Sequence, residues 1–235
     1  MKNLILLTLL MLFMINISQA DMRSFVWTYE YLIMEPGEAE IELYTTITSP
    51  DKSELKGNTS TELNMEAEIG MNEHYDFAIY QNFKQGIDGN LKYSGFKLRT
   101  RYKIGEKEDF FVDPLIYLEY KGVPDFSKHE IEAKLILEKD FGNFRFVVNP
   151  YFEYEIEDDE SEIVPKYAFG LRYRPGELFA LGFEGKGDKN GNYFGPTISH
   201  GSRKYWSTIG MLYNIDDVTE GKPEFQMRLI IGLFL

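Results

Sequence analysis

From residue 38 onward this chain alternates. Apolar and polar residues trade places along segments of about ten residues, and each segment gives way to a turn-forming stretch before the next begins. Residues 38–48 put Ala39, Ile41, Leu43 and Ile47 on one face of a strand and Glu40, Glu42, Tyr44 and Thr46 on the other. Residues 61–71 set Leu63, Met65, Ala67, Ile69 and Met71 against Glu62, Asn64, Glu66 and Glu68. Residues 96–104 alternate most sharply: Phe96, Leu98, Thr100, Tyr102 and Ile104 are interleaved with Lys97, Arg99, Arg101 and Lys103. The pattern predicts twelve strands, at about 38–48, 61–71, 75–84, 91–104, 110–120, 129–139, 143–155, 165–173, 178–186, 193–200, 204–214 and 223–235. The last is the greasiest. Phe225, Met227, Leu229, Ile231, Leu233 and Leu235 share one face, with Gln226 and Arg228 opposite.

The connections form two classes. Tight turns are expected at 72–74, 105–108, 140–143, 174–177 and 201–203, and longer polar segments at 49–60, 85–90, 121–128, 156–164, 187–192 and 215–222. Aromatic residues collect at both ends of the strands. Tyr75, Tyr102, Phe110, Phe144, Tyr173, Phe179 and Tyr205 adjoin the short turns; Tyr44, Phe83, Tyr120, Tyr154, Tyr167, Phe194 and Tyr213 adjoin the long segments. Between them the apolar face is largely aliphatic, with Ile69, Ile79, Leu98, Ile116, Leu118, Leu135, Leu137, Val148, Leu171, Leu181, Ile209, Met211 and Leu229. Ten residues at about 3.3 Å rise, tilted by about 40°, cover about 25 Å, the height of the apolar band of a membrane barrel. In water the same band would aggregate, which argues against a soluble β-sandwich.

The ends and the composition narrow the setting. Lys2, the apolar run at 4–14 and the small residues of Ser18-Gln19-Ala20 read as a secretory signal over 1–20, with Asp21 as the expected mature start. No other segment approaches the roughly 18 apolar residues that a spanning helix needs. A mature chain in a membrane must therefore close its sheet, because lipid cannot satisfy open edges. The net charge of −13 becomes −14 without Lys2, which argues against nucleic acid as a partner. No cysteine is present, so disulfides and thiolate metal sites are excluded.

The export signal, the alternating strands and the apolar final strand together resemble the Gram-negative outer-membrane β-barrel proteins, a porin-like class, over the whole mature length. Members often end in an aromatic residue; here Phe234 is penultimate and Leu235 last. The resemblance implies an all-β, closed antiparallel transmembrane barrel over 38–235. It also implies short periplasmic turns, longer extracellular loops and periplasmic termini. Lipid, lipopolysaccharide and the barrel-insertion machinery become the expected partners, and the expected state is a monomer.

Two features sit awkwardly in that picture. Asp113-Pro114 and Asn149-Pro150 fall inside strands of a sheet with no free edge, and bulges are the expected remedy. The two sites echo each other, as VDPLIY and VNPYFE. Residues 21–37 are left over, because a thirteenth strand would break the even count of bacterial barrels. They are read as a periplasmic or lumen-inserted extension that ends at the Glu35-Pro36-Gly37-Glu38 turn.

With lipid against the apolar face, the charged face lines the interior. Glu40, Glu42, Glu66 and Glu68 form an acidic wall, and Lys97, Arg99 and Arg101 a basic one, one strand away at about 10 Å. Further round come Arg145, Arg172, Arg174 and Arg228 as pore-lining candidates, along with Glu132, Lys134, Glu138, Glu153 and Glu184. Opposed walls would orient small polar or charged solutes in a narrow channel. Alternatively the charges pair and seal the barrel, leaving its outer loops, such as the acidic run at 157–162, to act as a structural or adhesive surface. Eight strands give a packed interior and sixteen to eighteen an aqueous one, so twelve permits either.

Enzymatic signals are weak. His74, His129 and His200 are scattered. Ser199 and His200 are adjacent, so they point to opposite faces, and Ser199 and Ser207 are hydrolase candidates by residue type alone. No phosphate loop or histidine-pair metal spacing occurs, and GKGDKNGN at 185–192 reads as a hairpin loop rather than a calcium site. No cofactor and no catalytic or metal-binding residue is expected.

Overall fold

The computed structural model describes residues 23–157, 160–189, 191–202, 204–216 and 222–235. The expected signal at 1–20 lies outside them, as do residues 158 and 159 of the acidic run. Twelve strands follow one another: β1 (Ala39–Ser49), β2 (Ser60–Asn72), β3 (Tyr75–Gln85), β4 (Lys92–Lys103), β5 (Asp113–Gly122), β6 (Lys128–Phe141), β7 (Phe144–Glu157), β8 (Glu160–Tyr173), β9 (Phe179–Asp188), β10 (Gly191–Gly201), β11 (Tyr205–Asn214) and β12 (Phe225–Phe234). Each pairs antiparallel with the next, and β1 pairs with β12 from Glu40↔Phe234 to Ser49↔Phe225, closing the cylinder. Closure leaves no unpaired edge, which is the condition for crossing lipid with strands.

The period-two pattern decides which way each side chain looks. Leu98 and Leu135 stand outward, 37% and 39% exposed, with Ile79, Leu118, Leu171 and Leu181 in the same band. Their sequence neighbours Arg99 and Lys134 are buried inside. The expected split of aliphatic wall and charged interior is therefore the one observed. Tyr44 is the exception within the aromatic girdle. It is buried in the lumen, because it shares the parity of Glu40 and Glu42.

The loops differ from expectation. β7 and β8 run so far that only 158–159 separate them, and β9 and β10 are separated by 189–190 alone, so the long segments expected at 156–164 and 187–192 are mostly strand. The tight turn expected at 105–108 is instead the nine-residue connection 104–112, and β5 begins at Asp113 rather than near 110. Neither proline creates a bulge. Asp113↔Glu138 and Pro114↔Leu137 stay in register, and the β6–β7 register is the same on both sides of Asn149-Pro150. Pro114 sits at the start of its strand, where a missing donor costs little, and Pro150 interrupts the ladder toward β6 while Asn149 turns its side chain inward. The register irregularities lie elsewhere, at Gly70/Asn72 and at Asn82/Phe83.

Candidate functional site in the barrel lumen

Residues 23–36 pass through the inside of the cylinder. Phe25, Val26, Thr28, Glu30, Ile33 and Met34 are all buried. The segment enters at the end of the barrel that carries the termini. There, Pro36 bridges Gly70 of β2, and Gly37, at φ 82°, completes the turn that the Glu35-Pro36-Gly37-Glu38 sequence calls for.

Inward side chains of many strands hold its backbone. One carboxylate, Glu184 of β9, accepts the amides of Val26 (3.0 Å), Trp27 (2.9 Å) and Thr28 (3.0 Å). Asn149 of β7 accepts from the Tyr29 amide at 2.7 Å and donates to the Tyr29 carbonyl at 3.0 Å, so one side chain imitates a ladder pair. Glu138 of β6 accepts from the Tyr31 amide at 2.8 Å, and Asp76 of β3 from the Met34 amide at 3.2 Å. A segment with no strand partner along most of its length thereby finds acceptors for the amides of 26–29, Tyr31 and Met34.

Glycines make the room. A Cβ on Gly170 of β8 would lie 2.5 Å from the Phe25 ring, and one on Gly210 of β11 would lie 2.5 Å from Val26. Such contacts are shorter than side-chain carbons tolerate, so the wall is shaped to this segment.

The predicted walls are both inside, and they do not stand apart. Arg99 lies 2.9 Å from Glu66 and 2.6 Å from Glu68; Arg101 pairs with Glu68 and reaches Asp76 at 3.0 Å. These contacts span the intervening β3, where the inward residue between Glu68 and Arg99 in the register is Ala78. A methyl group leaves two long side chains free to meet over it. Open, opposed walls are thus corrected to a buried ionic cluster. It is extended by Arg23 of the inner segment, which sits 3.5 Å from Glu42 and donates to the Tyr44 hydroxyl at 2.7 Å. Glu40 accepts from the Trp206 indole.

The other candidates are distributed around the wall. Lys97 pairs with Glu119 at 2.9 Å. Arg145 gathers Glu30 and Glu138 at 3.0 Å and Asp140 at 2.8 Å, tying the inner segment to β6 and β7. Arg172 is buried, and its Nε has no hydrogen-bond partner among the described residues. Arg174 falls in the turn after β8 rather than in a strand, and its amide donates to Asn143 at 2.9 Å. Arg228 donates to Thr46 Oγ1 at 2.8 Å and to the Val26 carbonyl at 3.2 Å.

Together the inner segment and these clusters fill the middle of the lumen and leave a space at each end. A cavity of about 250 Å³ near the termini is bordered by 31–36, Lys103, Lys107 and Arg145. Another of about 190 Å³ lies toward the opposite end, between Tyr151, Lys166, Lys186 and Tyr193.

Several of the residues that matter here were not singled out from the sequence: Asp76 and Tyr80 in the wall, and Arg23 in the segment. Parity alone assigns the wall residues to the interior, and the repeated VDP/VNP motif marks Asp113 and Asn149, both fully inward. No serine–histidine pair forms. Ser199 is buried in the lumen, while His200 lies on the outer face against the Phe179 ring, 4.6 Å between centroids.

No family model and no curated protein matches this chain. Solved structures do. An outer membrane channel from Pseudomonas putida F1 superimposes with a TM-score of 0.65 at 9% identity, over 90% of this chain and all of that one. The NanC porin gives 0.58 at 10% identity, over 84% of this chain and 100% of the porin. The KdgM porin, solved in complex with disordered oligogalacturonate, gives 0.60 at 6% identity, over 83% and 98%. At these identities the likeness is one of fold: this chain has the closed twelve-strand barrel of outer-membrane channels and porins.

Proposed function

We propose that the chain is exported by its first twenty residues and resides in the outer membrane. There it acts as a monomeric, narrow porin-like channel for small polar or charged solutes, closed at rest by residues 23–36. The outward aliphatic band supports the membrane placement, and the fold shared with channels supports the transport role.

The observation that carries the gated reading is how the inner segment is held. Six of its hydrogen bonds to the wall run from backbone amides to side chains, with Glu184, Asn149, Glu138 and Asp76 as the acceptors. Each is worth about 0.5–1.5 kcal/mol net, or up to about 3 where the acceptor is charged. Water entering the lumen can replace them one at a time, so the segment can yield without the strands parting. The candidate pore-lining residues would then set ion preference, with Arg99 and Arg101 exchanging partners as it leaves.

A sealed barrel is the second reading, favoured by the completeness of the ion pairing between β2 and β4. Planar-bilayer recordings decide between them. The full chain should show small or intermittent current steps, and a chain lacking 23–36 should conduct severalfold more. If that deletion disturbs insertion, Gly170→Leu displaces Phe25 with the segment still attached and should have the same effect. Silence of all three at high salt would overturn the channel reading and leave the sealed one.

A further inference from the structure

The cavity opposite the termini is chemically unlike the rest of the lumen. Lys166, Lys186 and Lys222 border it, with Asp188 as its carboxylate and Tyr193 on its wall. Its volume is about 190 Å³.

Elsewhere in the lumen Lys97, Arg99, Arg101 and Arg145 each meet acids. Lys166 itself pairs with Glu153. Lys186 forms no ion pair among the described residues; its ammonium lies 4.7 Å from the Trp27 ring centroid and 5.8 Å from that of Tyr193. Arg228 approaches the same indole at 5.1 Å, and its hydrogen bonds go to neutral oxygens, on Thr46 and Val26. Glu184, two residues before Lys186 on the same face, is engaged by three amides of the inner segment. The Tyr193 hydroxyl lies beside the Gln226 side chain, which also lines the cavity, in a residue only 8% exposed.

Two cations thus share one indole, with the Tyr193 phenol beside them. All three are donors. Cation–π contact offsets only part of what an ammonium gains from an anion in the same setting. An anion placed here would gain charge-assisted hydrogen bonds and relieve the repulsion between Lys186 and Arg228.

We propose that this cavity binds a small anionic solute of the carboxylate or phosphate type, held by Lys186 and the Tyr193 hydroxyl, with Arg228 supplying the second positive charge. The proposal builds on the channel reading by naming the solute class, yet binding itself requires no conduction.

Titration calorimetry of the full chain in detergent micelles, at constant ionic strength, provides the test. Sodium glucuronate, sodium phosphate and neutral glucose are the probes. Saturable binding of glucuronate or phosphate, with none of glucose, is expected. Glucuronate alone would assign a carboxylate site, phosphate alone a phosphate site, and both a site that selects on charge.

Lys186→Gln should weaken binding about tenfold or more, the loss of one charge-assisted hydrogen bond. Lys128→Gln, at a rim lysine already paired with Glu155, should leave it unchanged. Unchanged heat-modifiability on electrophoresis would certify that both variants remain folded. Equal response to glucose, no saturable binding of either anion, or full affinity in both Lys186→Gln and Arg228→Gln would overturn the site. Loss of binding with conductance intact would leave the channel reading standing, and silent bilayers with binding intact would do the reverse.

Discussion

On the β2–β4 side of the lumen, Arg99 and Arg101 each touch two carboxylates; on the β9–β12 side, Lys186 and Arg228 pair with none among the described residues. Both sides belong to one sheet with one alternation rule, so the difference comes from what lies between the strands and what lies against them. Across β3, Ala78 leaves a gap that glutamate and arginine span to meet. Across β9 and β11, the small inward residues Gly182 and Gly210 make room for the inner segment instead, and that segment claims Glu184 for its amides. A wall that pairs its own charges becomes structural. A wall that gives its acid to a guest segment keeps its bases in hand.

The largest expected effect lies in the paired half. Arg99→Ala strands Glu66 and Glu68 as neighbouring buried carboxylates and should cost about 3–5 kcal/mol in urea unfolding from detergent. Lys186→Ala, in the other half, should leave the unfolding midpoint where it is. Equal losses at the two sites would erase the distinction between them.

Next is the outer wall beside the cluster. Leu98→Lys places a charge in the lipid band and should cost about 2–4 kcal/mol near the midplane, measured in lipid vesicles. An unchanged stability would mean that Leu98 does not meet acyl chains.

Glu184→Ala removes the acceptor of three amides and should cost about 1–3 kcal/mol for the donors left unpaired. Its sharper signature is functional, as increased bilayer current and faster proteolysis within 23–36. The smallest effect belongs at the rim. Lys128, paired with Glu155 at 3.0 Å and Glu157 at 3.3 Å, is open to solvent and salt, so Lys128→Ala should cost at most about 1 kcal/mol.

The barrel was legible because its signal is local. Each outward residue from Ile69 to Leu229 could be assigned by counting in twos, and the structure places them on the outer face. Tyr44 was misassigned when proximity to a loop was allowed to outweigh that count. Loop lengths at 158–159 and 189–190 were overestimated because polar residues continue a strand as readily as they end one once it rises beyond the apolar band. The bulges expected at Pro114 and Pro150 were not needed: one proline starts its strand, and the other adjoins an asparagine that turns to the inner segment. The acidic and basic walls face inward, and of the two arrangements the sequence allowed, open walls or paired charges, the contacts between β2 and β4 are paired. Whether two charged rows face open water or each other depends on the size of the residue between them.

By itself the sequence determined the closed sheet, its number of strands and which side chains face outward, since a strand's two faces are set by neighbours one and two residues away. Tertiary structure alone decided what fills the cylinder. The pairing of Glu68 with Arg99 and Arg101, the threading of 23–36, and the unpaired state of Lys186 each depend on groups tens to hundreds of residues apart. Their distances are fixed only when β1 meets β12 and the curvature of the closed sheet sets how far each side chain must reach.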